Sequence, residues 1–206
     1  SCFQWLMPAL DTFRKKWPDI TLDLSAAFSF APLPALARGD LDLVITSDPQ
    51  PLTGIEYTAL FRYELVAVLG SQHPLLEQPY LQPESFSAYT LITYPVDRER
   101  LDIFTQFLDQ EGIEPIEIRK AELTPMIIQL IASHRGITAL PNWAVDEYLD
   151  AGWVQTRPLG KDGVWRTLYA AKRSEDMGAK YVLDFITQAQ QTCFEHLQGI
   201  VPAPAD

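Results

Sequence analysis

The sequence predicts an α/β fold built as two lobes, and three observations carry that prediction. Leu41-Asp42-Leu43-Val44-Ile45 and Gly136-Ile137-Thr138-Ala139-Leu140-Pro141 are short apolar runs of the kind a strand in a parallel sheet supplies. Each ends abruptly in residues suited to a ligand-facing turn, Thr46-Ser47-Asp48 in the first case. Around them, helical stripes alternate with strand-like runs, the order that βα units give. Two strand ends of this type in distant parts of one chain suggest a receptor whose ligand lies in a cleft between lobes.

The elements follow in order. Phe3, Leu6, Met7, Leu10, Phe13 and Trp17 recur every three or four residues and predict a helix with one buried stripe, ended by Pro18-Asp19. Ile20, Leu22 and Leu24 alternate with polar residues and predict a half-buried strand. Pro32 to Arg38 reads as a short helix, closed by Gly39 where left-handed backbone is cheap, and Leu41 to Ile45 as the next strand. An α-β-α-β order in a right-handed parallel sheet is normally preceded by a further strand, and none is visible before Phe3, so the chain is expected to be a fragment.

After the turn-rich Pro49–Gly54 come Ile55-Glu56-Tyr57 and a strand from Tyr63 to Leu69. His73 to Pro83 reads as loop, with a short helix at Glu84 to Phe86. Leu91 to Tyr94 is a strand ending in polar groups, Leu101 to Gln110 a helix, and Ile116 to Ile118 a strand. Thr124-Pro125 is the clearest helix start, with Thr as N-cap, Pro at the first helical position and Met126, Ile127, Leu130 and Ile131 as the buried stripe. Gly136 stops that helix, Ile137 to Leu140 is a strand, and Asn142 is placed to cap a helix from Trp143 to Leu149. Arg166 to Ala171 predicts a strand, Tyr181 to Leu197 a long amphipathic helix, and the Pro-Ala-rich end from Val201 to Asp206 a disordered tail.

Composition bounds the function. With 206 residues, 47% of them hydrophobic, the chain can bury an ordinary core, and no apolar run is long enough to span a bilayer. No basic segment followed by an apolar one opens the chain, so a cytoplasmic protein is expected over an exported one. Cys2 and Cys193 are too few for a disulfide framework. A formal charge of -11 means that DNA would repel the chain as a whole. Arg14-Lys15-Lys16 reads as a solvated helix end, favourably placed at the negative pole of the helix dipole.

Catalytic and cofactor signatures are absent: there is no G-x-G-x-x-G, phosphate loop, G-x-S-x-G or H-E-x-x-H. His73, His134 and His196 stand far apart without a partner at metal-ligand spacing, so neither a metal nor a cofactor is expected. Only Cys2 and Asp48 are candidates for cleft chemistry, and no nucleophile and base converge, so the chain is not expected to be an enzyme. What remains is a set of hydroxyls at element ends: Ser1, Thr46, Ser47, Thr93, Tyr94 and Thr124. Each alone suits a local cap or turn. Together with exposed backbone N–H groups they can hold an anion or carboxylate without a charged side chain.

Five segments carry a family resemblance: Trp5-Leu6-Met7-Pro8-Ala9-Leu10 through Trp17-Pro18, Gly39-Asp40-Leu41-Asp42-Leu43-Val44, Leu60-Phe61 to Val68, His73-Pro74-Leu75, and Gly136 to Pro141. In order and spacing they resemble the effector-binding domain of LysR-type transcription regulators over nearly the whole chain. Within that family, Thr46-Ser47-Asp48, Leu91 to Val96 and Pro141-Asn142-Trp143 are similar to the methionine-biosynthesis subgroup, which would imply homocysteine as co-effector. The resemblance implies a periplasmic-binding-protein-like fold of two Rossmann-like subdomains joined by two crossing strands, near Tyr63 to Leu69 and Leu168 to Lys172. Lobe I is then 1–62 plus 173–206, and lobe II is 63–172. It also implies ligand contacts at Ser1, Cys2, Phe28, Ser29, Thr46, Ser47, Thr93 and Thr124, and a homodimer or tetramer. In the dimer, the first helix of one copy meets the helix from Thr124 of the other. No winged helix-turn-helix is visible here, so DNA contact is expected only through a domain of the parent protein. A transporter's solute-binding protein shares the fold and is the alternative.

Overall fold

The structure, a computed structural model, describes residues 3–25, 31–175 and 180–204. The chain divides into two compact units. One is Tyr63–Arg166; the other takes the described residues up to Arg62 and those from Thr167 onward.

In the first unit the frame is the C-terminal part of β2 (Ile55–Gly70), a 16-residue strand that merges the two runs read separately in the sequence. It pairs antiparallel with β5 (Thr138–Pro141), Val66 opposite Leu140, and with β6 (Val154–Pro158), Val68 opposite Thr156. Alternate residues of β2 enter different apolar clusters. Leu65, Ala67 and Leu69 pack with Phe86, Leu91, Phe104 and Leu108, and Val66 and Val68 with Ile92, Ile127, Ile128, Ile131 and Val145. Burial on both faces explains why β2 reads as a nearly continuous apolar run. β3 (Thr90–Thr93) pairs in parallel with β4 (Glu117–Lys120) and is bridged on its other side, Leu91 to Ile137, at the entry to β5. Gly136 lies where β3 and β5 close up: a Cβ there would stand 2.5 Å from the Thr90 carbonyl oxygen. α3 (Thr124–Ala132) follows β4, burying Ile127, Ile128 and Ile131.

The second unit packs α1 (Phe3–Lys16) on α5 (Lys180–His196), with Phe13 and Phe185 edge to face at 5.5 Å and the Trp17 indole donating to Asp184 Oδ2 at 2.9 Å. α2 (Pro32–Arg38) closes on Gly39 at φ 83, the left-handed cap expected there. Leu33 and Leu36 pack on Val44 of β1 (Val44–Thr46). β1 pairs antiparallel with the end of β7 (Val164–Arg173), Val44 opposite Ala171. β2 and β7 each have residues in both units.

Several expectations are corrected. The buried stripe of α1 is Trp5, Ala9, Leu10 and Phe13, while Met7 is 41% exposed. At about 100° per residue, Met7 falls beyond the edge of the face that Trp5, Ala9 and Phe13 define. Ile20 to Leu24 forms no ladder, because no described strand lies beside it to accept and donate. Leu101 to Gln110 is a run of irregular helical turns, not one regular helix. Trp143 to Leu149 divides into a tight turn at Asn142–Ala144 and α4 (Asp146–Asp150). β6 was not read from the sequence at all. Val201 is tied down by two backbone bonds to Arg62, so the tail is anchored at its start.

Candidate functional site

The polar end of the first unit is built where β3 runs out. Parallel β3 and β4 both point their carboxyl ends toward α3, and in open α/β layers that is where ligands lie. Ala121 donates its N–H to the Thr93 carbonyl at 2.9 Å, which fixes the last residue of β3 against the loop leading to α3. The Thr93 side chain is 5% exposed, and its hydroxyl makes no hydrogen bond to any described residue. A buried hydroxyl left in this state costs free energy unless something arrives to bond it.

One residue further along the chain, the Tyr94 phenol and the Thr124 hydroxyl are 2.7 Å apart. Thr124 is not the N-cap it was expected to be. Leu123 occupies the cap position in extended backbone (φ -121, ψ 139) and makes no side-chain cap bond, so Thr124 is the first residue of α3. Its hydroxyl is held by Tyr94, on the adjacent strand end. Met126 and Ile127 donate their N–H groups to the Leu123 carbonyl, and Pro125 has none to give. With Tyr94 as donor in the pair, the Thr124 proton stays available to a ligand oxygen. Tyr148 belongs to the same surroundings, packing with Tyr94 around Ile92 and Ile127. Burial pushes its phenol above the ordinary range, and neighbouring Glu147 adds to the shift. Thr138, fully buried on β5, donates to the Ile92 carbonyl at 2.6 Å and locks β3 in place. The arrangement offers neutral donors at a helix start, a chemistry suited to a small carboxylate or another weakly basic oxygen.

The expected site residues fare differently. Thr93 and Thr124 both lie in the first unit, Thr93 at the end of β3 and Thr124 at the start of α3. Thr46 and Ser47 lie in the second unit, at the end of β1, and the Thr46 hydroxyl accepts from the Asp48 N–H at 3.0 Å, which is a local turn device. Ser1, Cys2, Phe28 and Ser29 fall outside the described residues. Tyr94 was among the hydroxyls noted in the sequence, but its bond to Thr124 joins residues 30 apart and has no sequence signature. Tyr148 was missed altogether, since it reads as an ordinary helical aromatic. Among the described residues no group of three His, Cys, Asp or Glu side chains is placed to hold a metal, and no helix is long and apolar enough to cross a membrane.

Comparison with known proteins gives this geometry a context. The LysR substrate binding domain family matches residues 1–194. The transcriptional regulators MetR of Salmonella typhimurium and of Escherichia coli are each 41% identical to the chain, over 96% and 98% of it. The chain spans only about 62% of the length of these relatives. Among solved structures, the regulatory domain of MetR, a LysR family regulator from N. meningitidis, superposes with a TM-score of 0.88 at 40% identity, covering 98% of this chain and 94% of that one. The effector binding domain of a BenM variant, at 17% identity and a TM-score of 0.76, covers the same shares and shares the fold. The sequence segments, the two α/β units and these similarities agree: the chain belongs to the LysR substrate binding domain family, with its periplasmic-binding-protein-like fold.

Proposed function

We propose that the chain is the effector-binding part of a cytoplasmic LysR-type transcription regulator of methionine biosynthesis, and that its effector is homocysteine. Two observations carry the effector reading: the Thr93 hydroxyl at the end of β3 is buried and bonded to no described residue, and the Tyr94–Thr124 pair stands at the start of α3. The effector's carboxylate accepts hydrogen bonds from Thr93 and Thr124, and each such bond to a charged acceptor contributes about 1.5–3 kcal/mol. Thr46 and Ser47 are proposed as further contacts. Likeness to the MetR regulators supports the methionine subgroup and favours a regulator over a transporter's solute-binding protein. DNA contact belongs to the length of those relatives that this chain does not span. The assembly is an isologous dimer in which Met7 of α1, 41% exposed, meets Leu123 at the cap of α3 and Met126 within it, 58% and 51% exposed, on a second copy.

Titration calorimetry on the gene product that carries this chain tests the reading, with homocysteine, methionine and sulfate as ligands. Homocysteine is expected to bind, and Thr93→Val and Thr124→Val each to weaken it tenfold or more. Heat from another amino acid but not from homocysteine overturns the subgroup. Unchanged binding in both variants overturns the site.

A further inference from the structure

An α-helix opens with N–H groups that have no partner inside the helix, and α3 has fewer of them than usual. Pro125 supplies none, and Met126 spends its own on the Leu123 carbonyl at 3.0 Å. The start of α3 is left with the N–H groups of Leu123 and Thr124 and with the Thr124 hydroxyl. Among the described residues that hydroxyl has one partner, the Tyr94 phenol at 2.7 Å. The threonines inside longer helices behave differently: Thr12, Thr187 and Thr192 each donate to the carbonyl four residues back. For Thr124 the residue four back is Lys120, in β4, so no helical carbonyl takes its proton.

A hydroxyl holds one proton and two lone pairs, so its single partner decides which of them a ligand meets. Were Thr124 to donate to the phenol, it would offer a ligand lone pairs alone. With the phenol as donor, Thr124 offers its proton. Acidity chooses between the two, because a phenol, with a pKa of about 10, is a far stronger acid than an aliphatic alcohol and the better donor to it. The Tyr94 ring is held for this task, packed on the cluster that contains Ile92, Ile127 and Ile128.

We propose that Tyr94 is a specificity-determining residue that turns the Thr124 proton toward the effector, so that an amino acid with a free carboxylate is bound and its primary amide is rejected. The proposal rests on Thr124 being an effector contact, as in the reading above, and Tyr94 acts through it as a positioning residue. The amide is the discriminating ligand because it has nearly the shape of the carboxylate. A carboxylate has two acceptor oxygens; an amide has one and must turn its NH2 toward Thr124 or toward the group that holds the other oxygen. Two donors then face each other.

Calorimetric titration of the gene product with homocysteine and with its primary amide tests this in four proteins: the parent, Tyr94→Phe, Thr124→Val and the double variant. The parent is expected to prefer the acid, and Tyr94→Phe, which keeps the ring and frees the Thr124 hydroxyl to turn to either ligand, to narrow that preference roughly tenfold. In the Thr124→Val background the phenylalanine should change the preference no further. A Tyr94 that only props the fold would weaken both ligands alike. An unchanged preference in Tyr94→Phe therefore overturns the proposal while the effector reading stands, and so does an equal change with and without the Thr124 hydroxyl. A parent that binds no homocysteine overturns the effector reading and this proposal with it. Should the phenylalanine variant not fold, nuclear magnetic resonance of the parent decides: a slowly exchanging Tyr94 hydroxyl proton close to the Thr124 β-proton is expected, and a Thr124 hydroxyl proton directed at the phenol oxygen overturns the proposal.

Discussion

Replacing Thr93 with valine separates stability from recognition, because the two should move in opposite directions. Valine has nearly the shape of threonine, so the packing at the end of β3 is kept and only the hydroxyl goes. In the ligand-free protein that hydroxyl is 5% exposed and unbonded to any described residue, a condition that costs about 1–3 kcal/mol in buried sites. Its removal should therefore stabilise the free protein. For a chain of this size each kcal/mol shifts the melting temperature by about 2–4 °C, which gives a rise of about 2–12 °C. Binding should fall instead, since a hydrogen bond to the carboxylate is lost. A loss of about 1.5–3 kcal/mol corresponds to a dissociation constant roughly 10- to 150-fold higher. Thermal unfolding and calorimetric titration on one preparation read both quantities. A variant that melts below its parent and binds homocysteine equally tightly would falsify the assignment, for the hydroxyl would then be a structural bond and not a recognition group.

Three further predictions rest on other parts of the fold. Gly136→Ala should destabilise by roughly 2 kcal/mol or more, because the new methyl meets the Thr90 carbonyl at the β3–β5 contact and backbone cannot yield cheaply; a melting temperature within 1 °C of the parent's, where about 2–4 °C per kcal/mol is expected, would contradict this. Lys16 and the Trp17 indole hold the Asp184 carboxyl below its ordinary value of 3.8, so the contact supports the fold above that pH and loses its effect as pH falls through the lowered folded value. Asp184→Asn should accordingly melt below the parent at pH 7, with the gap closing as the solution is taken below pH 3.8; a gap of constant size at all pH values would show that charge plays no part. On the exposed face of α3, Leu123→Asp and Met126→Asp should shift the dimer toward monomer in sedimentation while leaving the melting of the monomer within about 2 °C, and a dimer as tight as the parent's would remove α3 from the interface.

Much of this was legible in the sequence, for reasons that particular residues make plain. α3 was found because Pro125 and the Met126, Ile127, Leu130 and Ile131 spacing are local signals, although the side chains it buries include Ile128 and leave Met126 51% exposed, and α2 because Gly39 marks its end. The position of Thr124 was misread by one residue: cap preference points to threonine, but the bond to Tyr94, 30 residues away, draws its hydroxyl aside. Ile20, Leu22 and Leu24 show a strand's alternation without a ladder, since pairing depends on a neighbour that periodicity does not report. Met7 was placed in the core because hydrophobicity alone cannot separate a buried stripe from an exposed apolar patch beside it. Thr93 was a candidate from its place at a strand end, but the feature that distinguishes it, burial without a bonding partner, exists only in three dimensions. Tyr148 left no trace beyond an aromatic residue in a helical segment.

The central claim is that an amino-acid effector is read at the end of β3 and the start of α3. Amide hydrogen exchange of the gene product, free and saturated with homocysteine, tests it most directly. Slowed exchange should concentrate at Ile92 to Tyr94 and at Thr124 to Ile127, with Thr93→Val reducing the effect at both. Protection confined to other segments, or none at saturating homocysteine, would contradict the account.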